Sequence, residues 1–224
     1  MYIRGSSRTY PTYEEYEKSG KFSSGQLYWI LKGFDINLTP RDISLYAQPE
    51  FTPDQMEEIY DGFNCELDFR DILLYARPEF DGDQMNEIKL GIWSYELDHD
   101  QVLRYADPAY DADQMNVIRN IIFSRDGDYS QSQLDSLLNL ICHPEYSVMK
   151  IKTLYHLFES DADPKILEYV QSLDLSDQAM YWVKRGFEEK LTLEQVQSYV
   201  KPSASSEWMR DRFYSICHEN KDRF

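Results

Sequence analysis

The sequence predicts an all-α protein, an α-solenoid-like array of helical hairpins with about six degenerate repeats of 29–30 residues. Three observations carry this expectation. The segments YAQPEFTPDQMEEIYDGF, YARPEFDGDQMNEIKLGI and YADPAYDADQMNVIRNII begin at Tyr46, Tyr75 and Tyr105, spaced 29 and 30 residues, and a fixed period of that size marks stacked helical or β units. Each copy carries helix start signals at the same places. Each also spaces its apolar residues for one helix face, as in Met56, Ile59 and Phe63 or Met85, Ile88 and Ile92 at i, i+3 and i+7.

Residues 1–21 have no repeat partner and are read as an N-terminal arm or a short helix, for which Thr12 with Glu15 supplies a cap. Residues 22–224 are read as a single helical-repeat domain, with the best-preserved acidic repeats at 46–125 and degenerate ones at 126–224. In the first copy Phe22, Gln26, Leu27, Ile30 and Gly33 fall on the positions of Phe51, Gln55, Met56, Ile59 and Gly62. The leading helix of each unit, A, is predicted to start at a capping box: Ser23 with Gln26, Thr52-Pro53 with Gln55, Asp81 with Gln84 and Asp111 with Gln114. Gly33, Gly62, Gly91 and then Asn120 recur 29 residues apart, and are expected to take the left-handed conformation that ends a helix.

A second helix, B, follows a loop pinned by Leu38, Leu67, Leu97 and Leu191, and its caps are Thr39 with Asp42, Asp98 with Gln101, Ser130 with Gln133 and Thr192 with Gln195. It runs into Tyr-Ala-x-Pro, where the proline forbids continuation. The A helix is expected to be about ten residues long and the B helix slightly shorter, to within a few residues. Downstream copies keep Pro144, Tyr146, Ile151 and Leu154, with Ile141 in place of the opening tyrosine, then Leu175, Val183, Gly186 and Leu191, and finally Tyr199, Pro202 and Met209. The irregular joints are SRDGDYSQSQ around Asp126 and ESDADP around Asp161. Helices this short are marginal alone, so stacking is expected to make the array one cooperative body.

The YARPEFDGDQMNEIKLGI pattern resembles a short helical repeat that recurs in proteins of Gram-positive gut bacteria, their phages and conjugative elements, mostly without assigned function. The match is good over residues 22–125 and poor beyond. The resemblance implies a cytosolic accessory or counter-defence protein of a mobile element; it implies no chemistry, because the recurring residues are caps, core and turns.

The 224 residues carry 40 acidic and 23 basic side chains, a net charge of −17, which argues against direct binding to nucleic acid or anionic lipid. No stretch approaches a membrane span and MYIRGSSRTYPTYEEYEKSG contains no apolar h-region, while Cys65, Cys142 and Cys217 are too few and scattered for a disulfide framework. A cytoplasmic protein is expected. The charge is unevenly placed: residues 1–45 sum to +1, 46–115 to −14 and 116–224 to −4. Asp81 and Asp111 as N-caps, and Asp54, Asp83 and Asp113 in first helical turns, are explained by the helix dipole alone. Glu57, Glu58, Asp61, Glu66, Glu87, Glu96, Asp100 and Asp107 are not, and are the candidate partner-binding residues; a merely solvated acidic face is the competing account.

The sequence carries no recognisable catalytic or metal-binding constellation. Cys142-His143 and Cys217-His218 are neighbours whose side chains diverge on a helix, and no base or orienting group accompanies them. His99 and His156 lack partners at metal-ligand spacing. Asp126-Gly127-Asp128 opens like a calcium loop, but the glycine is misplaced and position twelve is Leu137. No catalytic, cofactor or metal residue is assigned, and no cofactor is expected. The expected activity is non-enzymatic: an acidic module that engages a basic protein partner, such as the groove of a nucleic-acid-processing enzyme, as a nucleic-acid mimic of anti-CRISPR or anti-restriction type. The alternative is a scaffold that binds a peptide or protein through a concave aromatic surface.

Overall fold

The computed structural model describes residues 10–125 and 127–221. Among these the chain is all-helical, with fourteen helices and no strand: α1 Tyr13–Lys18, α2 Ser24–Asp35, α3 Pro40–Tyr46, α4 Pro53–Asn64, α5 Phe69–Ile72, α6 Gly82–Trp93, α7 His99–Val102, α8 Ala112–Arg125, α9 Gln131–Ile141, α10 Val148–Glu159, α11 Pro164–Ser172, α12 Asp177–Glu188, α13 Leu193–Tyr199 and α14 Ser206–Lys221. Residues 1–9 of the N-terminal arm, and Asp126 in the first irregular joint, lie outside the described residues. Two compact units divide between Met115 and Asn116, inside α8.

After the leading α1, long A helices alternate with B helices. The A helices start at Ser24, Pro53, Gly82, Ala112, Val148, Asp177 and Ser206, so successive starts are 29, 29, 30, 36, 29 and 29 residues apart. The one long interval holds α8 and α9, which have 14 and 11 residues against 12 for α4 and 4 for α5. The caps are where the sequence places them: Thr12, Ser23, Thr39, Thr52, Asp81, Asp98, Ser130 and Thr192 each close a capping box. α5 lacks one, since Asp68 makes no side-chain cap bond.

The glycines correct the sequence expectation. Gly33, Gly62, Gly91 and Gly186 lie inside their helices, and the non-glycine residues at positive φ are Asn37, Glu66, Glu96, Asp161 and Lys190 among the described residues. Asn120 also sits within α8, bonding Asn116 through its side chain at 3.1 Å. The helices end in Schellman geometry: Leu38 N–H donates to Gly33 O and Asn37 N–H to Phe34 O, both at 3.0 Å, and Leu67, Leu97 and Leu191 donate in the same way to Gly62, Gly91 and Gly186. These leucines are the loop pins anticipated from sequence.

The glycines are small because a tyrosine arrives from the B helix. Tyr46, Tyr75 and Tyr199 are fully buried, and their hydroxyls donate to the carbonyls of Trp29, Glu58 and Trp182 at 3.1, 3.5 and 2.8 Å. A Cβ on Gly33, Gly62 or Gly186 would lie 1.9–2.1 Å from those hydroxyl oxygens. The pairing is visible inside the chain. At the ninth residue after the A-helix start, Ile121 and Leu157 replace glycine, and the B-helix position is then Ile141 or Val170 instead of tyrosine. A larger residue on the A helix goes with a smaller one on the B helix, the direction that a close-packed interior favours.

One residue joins consecutive hairpins. In α2, Gln26 Oε1 accepts from its own N-cap Ser23 N–H at 2.8 Å, while Nε2 donates to Pro49 O at 3.1 Å and Phe51 O at 2.6 Å in the loop leading to α4. Gln55 repeats this with Pro78 and Phe80, and Gln84 with Pro108 and Tyr110. In α10 the position is Lys150, which has no acceptor. The box is lost, but Nζ still donates to Gln171 O and Leu173 O at 2.7 and 2.8 Å.

Candidate functional site

The eight sequence-predicted residues do not form one surface. Glu58 turns inward to Lys89 on α6 and the more exposed Asp61 reaches it from the rim, with Nζ 2.6 and 3.5 Å from their carboxylate oxygens. The lysine side chain is 7% exposed, so this pair clamps α4 to α6. Burial raises the Glu58 pKa against the opposing pull of Lys89, with Asp61 and Glu57 adding to the rise. Glu87, half-buried, holds on α6 the place that Glu58 holds on α4. Glu66 and Glu96 are the left-handed residues after α4 and α6, and the same turn position is Asn37, Asp161 or Lys190 elsewhere, so that turn does not require a negative charge. Asp100 lies in the first turn of α7. Asp107 sits in the loop before α8, accepting from Ala109 N–H at 2.9 Å. Glu57 is half-buried on α4.

A denser acidic edge is built by the capping and first-turn aspartates that local helix physics accounts for, together with Glu50, Glu79 and the predicted Asp107. Within the three segments 47–54, 76–83 and 106–113, which feed the N-termini of α4, α6 and α8, Glu50, Asp54, Glu79, Asp81, Asp83, Asp107, Asp111 and Asp113 are all exposed. Arg77 is the one cation in those segments, and it approaches Glu79 at 3.8 Å. Each helix N-terminus contributes about +0.5 charge; with Arg77 that leaves roughly five to six net negative charges. Packed helix axes lie about 8–10 Å apart, so three N-termini spread this charge over roughly 20 Å, within about a factor of two of the phosphate density of duplex DNA before neutralisation. Glu66 and Glu96 lie at the opposite ends of the 12-residue helices α4 and α6, about 18 Å away at 1.5 Å per residue.

The second unit has a different electrostatic knot. Arg125 donates through Nε and Nη2 to the Tyr155 hydroxyl at 2.8 and 2.6 Å, and Nη2 also meets Glu159, which accepts from the Tyr129 hydroxyl. Burial and the Glu159 carboxylate push the Tyr129 pKa up to about 12. These bonds fasten the joint after α8 to α10. The anticipated Cys-His pair belongs to a turn: Cys142 occupies the position of Ala47, both closing an inverse γ-turn at φ −82°, ψ 76° and φ −72°, ψ 62°. His143 lies against Tyr146, ring centroids 4.6 Å apart, and His99 Nε2 is 2.5 Å from Asp71 Oδ1. Among the described residues no group of three or more His, Cys, Asp or Glu side chains is placed to hold a metal, and no helix is long and apolar enough to cross a membrane. The candidate site is therefore an electrostatic surface, and comparison with family models, curated proteins and solved structures finds no match to this chain.

Proposed function

We propose that the protein is a non-enzymatic binding module whose acidic edge, at the N-termini of α4, α6 and α8, engages a basic surface on a protein partner. What supports this is the set of eight exposed carboxylates in the segments 47–54, 76–83 and 106–113, against which Arg77 is the single cation in those segments. A groove that normally holds a nucleic-acid backbone has complementary charge at matching density, so an enzyme that processes nucleic acid, displaced from its substrate by mimicry, is the partner class this edge fits best. Resemblance of the repeat to mobile-element proteins agrees with a counter-defence role of the anti-CRISPR or anti-restriction type.

Interactions between exposed charges fade once the Debye length falls toward about 3 Å near 1 M salt. Immobilised protein should retain a basic partner from a bacterial lysate at low salt and release it at moderate salt. The triple variant Glu50→Lys, Asp54→Asn, Glu79→Lys should lose retention with its helical circular dichroism unchanged. Retention of the same partner by the variant would sink the proposal. A second reading, an aromatic scaffold, draws support from Trp93, which is 50% exposed at the end of α6; it requires a partner that survives 1 M salt and is lost on Trp93→Ala.

A further inference from the structure

α2 and α12 carry the same adjacent pair, Tyr28-Trp29 and Tyr181-Trp182, each followed after three intervening residues by Gly-Phe. The intervening A helices have Glu57-Glu58, Asn86-Glu87, Asn116-Val117 and Lys152-Thr153 at these positions, so the hairpin fold does not require the pair. In both copies the two rings stand nearly perpendicular, centroids 5.0 Å apart at 78° in α2 and 5.1 Å at 81° in α12. In both, the tryptophan leans on an aromatic residue of the next A helix, Tyr60 at 5.3 Å and Phe213 at 5.5 Å. The tyrosines remain open, 50% and 42% exposed.

At α2 the chain itself shows what the tyrosine face attracts: Lys32 Nζ lies 5.5 Å from the Tyr28 ring centroid. At α12 the corresponding residue, Arg185, is turned to Glu188 at 3.0 Å and Glu189 at 2.9 Å. Beside this second pair is a cavity of about 390 Å³ lined by Met149, Asp177, Gln178, Tyr181, Trp182 and Ser206. Asp177 is the only charged residue in that lining. The tryptophan ring is held in place: Nε1 donates to Ser206 Oγ at 3.0 Å, and Ser206 Oγ donates to Gln178 O at 3.3 Å.

We propose that this recess receives a cationic side chain, lysine or arginine, presented by a partner protein. Two perpendicular aromatic rings, a polarizable thioether and one carboxylate line the recess, groups that stabilise a positive charge on an aliphatic stem. A neutral apolar occupant would gain nothing from Asp177 or from the ring quadrupoles. The recess belongs to the second unit and is independent of the acidic edge of the first.

The test uses the full chain and tetramethylammonium chloride as the probe, followed by the NMR signal of the Trp182 indole N–H, which is assigned by its absence in Trp182→Phe. Sodium chloride at equal ionic strength and tert-butanol, a neutral compound of similar size, are the controls. Tetramethylammonium should shift the Trp182 signal saturably while both controls leave it in place. Tyr181→Leu should abolish the shift, and Asp177→Asn should weaken binding about threefold, the size expected for an exposed carboxylate facing a cation. Should Tyr181→Leu fail to fold by circular dichroism, Asp177→Asn carries the comparison. An unsaturable shift, an equal response to tert-butanol, or undiminished binding by Asp177→Asn would overturn the assignment.

Discussion

A methyl group added to Gly62 would sit 1.9 Å from the Tyr75 hydroxyl oxygen, and the same change at Gly33 or Gly186 meets Tyr46 or Tyr199. In an open helix, Gly→Ala stabilises by about 1 kcal/mol; overpacking a filled core costs about 1–3 kcal/mol. The second effect dominates here, because Tyr75 is fully buried and its ring cannot withdraw. Gly62→Ala should therefore lower stability in urea unfolding by about 1 kcal/mol or more, and Tyr75→Phe in that background should recover part of the loss by removing the clashing oxygen. A Gly62→Ala protein as stable as the parent would remove tyrosine packing as the reason for glycine. The recurrence of both residues was plain in the sequence. Their coupling was not, because a glycine near a helix end equally suits a left-handed cap, and only the described positive φ angles at Asn37, Glu66 and Lys190 assign that role elsewhere.

At the scale of the element, Gln55 is both the start of α4 and the tie to the next hairpin. Its Oε1 accepts from Thr52 N–H at 2.7 Å, and its Nε2 reaches Pro78 O at 3.1 Å as well as Phe80 O. Capping is worth about 1 kcal/mol, and leaving buried carbonyls without a donor costs about 1–3 kcal/mol. Gln55→Ala should thus destabilise by about 2–3 kcal/mol. Gln55→Lys, which copies Lys150, should cost distinctly less, since it loses the box but keeps the donor to the following loop. Equal losses in chemical denaturation would show that the tie between hairpins contributes nothing. Sequence reasoning found the box, a pattern within four residues. It missed the tie, whose acceptors lie 23 and 25 residues away, and it overestimated α5 and α7, four residues each, because a short B helix needs only to deliver its tyrosine.

For the whole molecule the governing quantity is charge. A net charge of −17 with −14 concentrated in residues 46–115 opposes compaction by self-repulsion, and the exposed carboxylates of the acidic edge are screened as the Debye length shortens from about 30 Å at 0.01 M to about 10 Å at 0.1 M salt. Melting temperature should therefore rise by a few degrees between 10 and 300 mM sodium chloride, roughly what 1 kcal/mol gives a chain of this size; a falling value in calorimetry would mean that ion pairs such as Lys89 with Glu58 outweigh the repulsion. By itself, the sequence determined the all-α class, the hairpin period, the caps and the amount of charge, since each is written within one turn of helix or in composition. Tertiary structure alone decided how the acids are used: it paired Glu58 and Asp61 with Lys89 and left Glu50, Glu79 and Asp107 exposed with the first-turn aspartates along one edge. The reason is physical. A carboxylate's environment is fixed by the neighbouring hairpin, some thirty residues away in the chain, and no local pattern encodes which side of a helix that neighbour will cover.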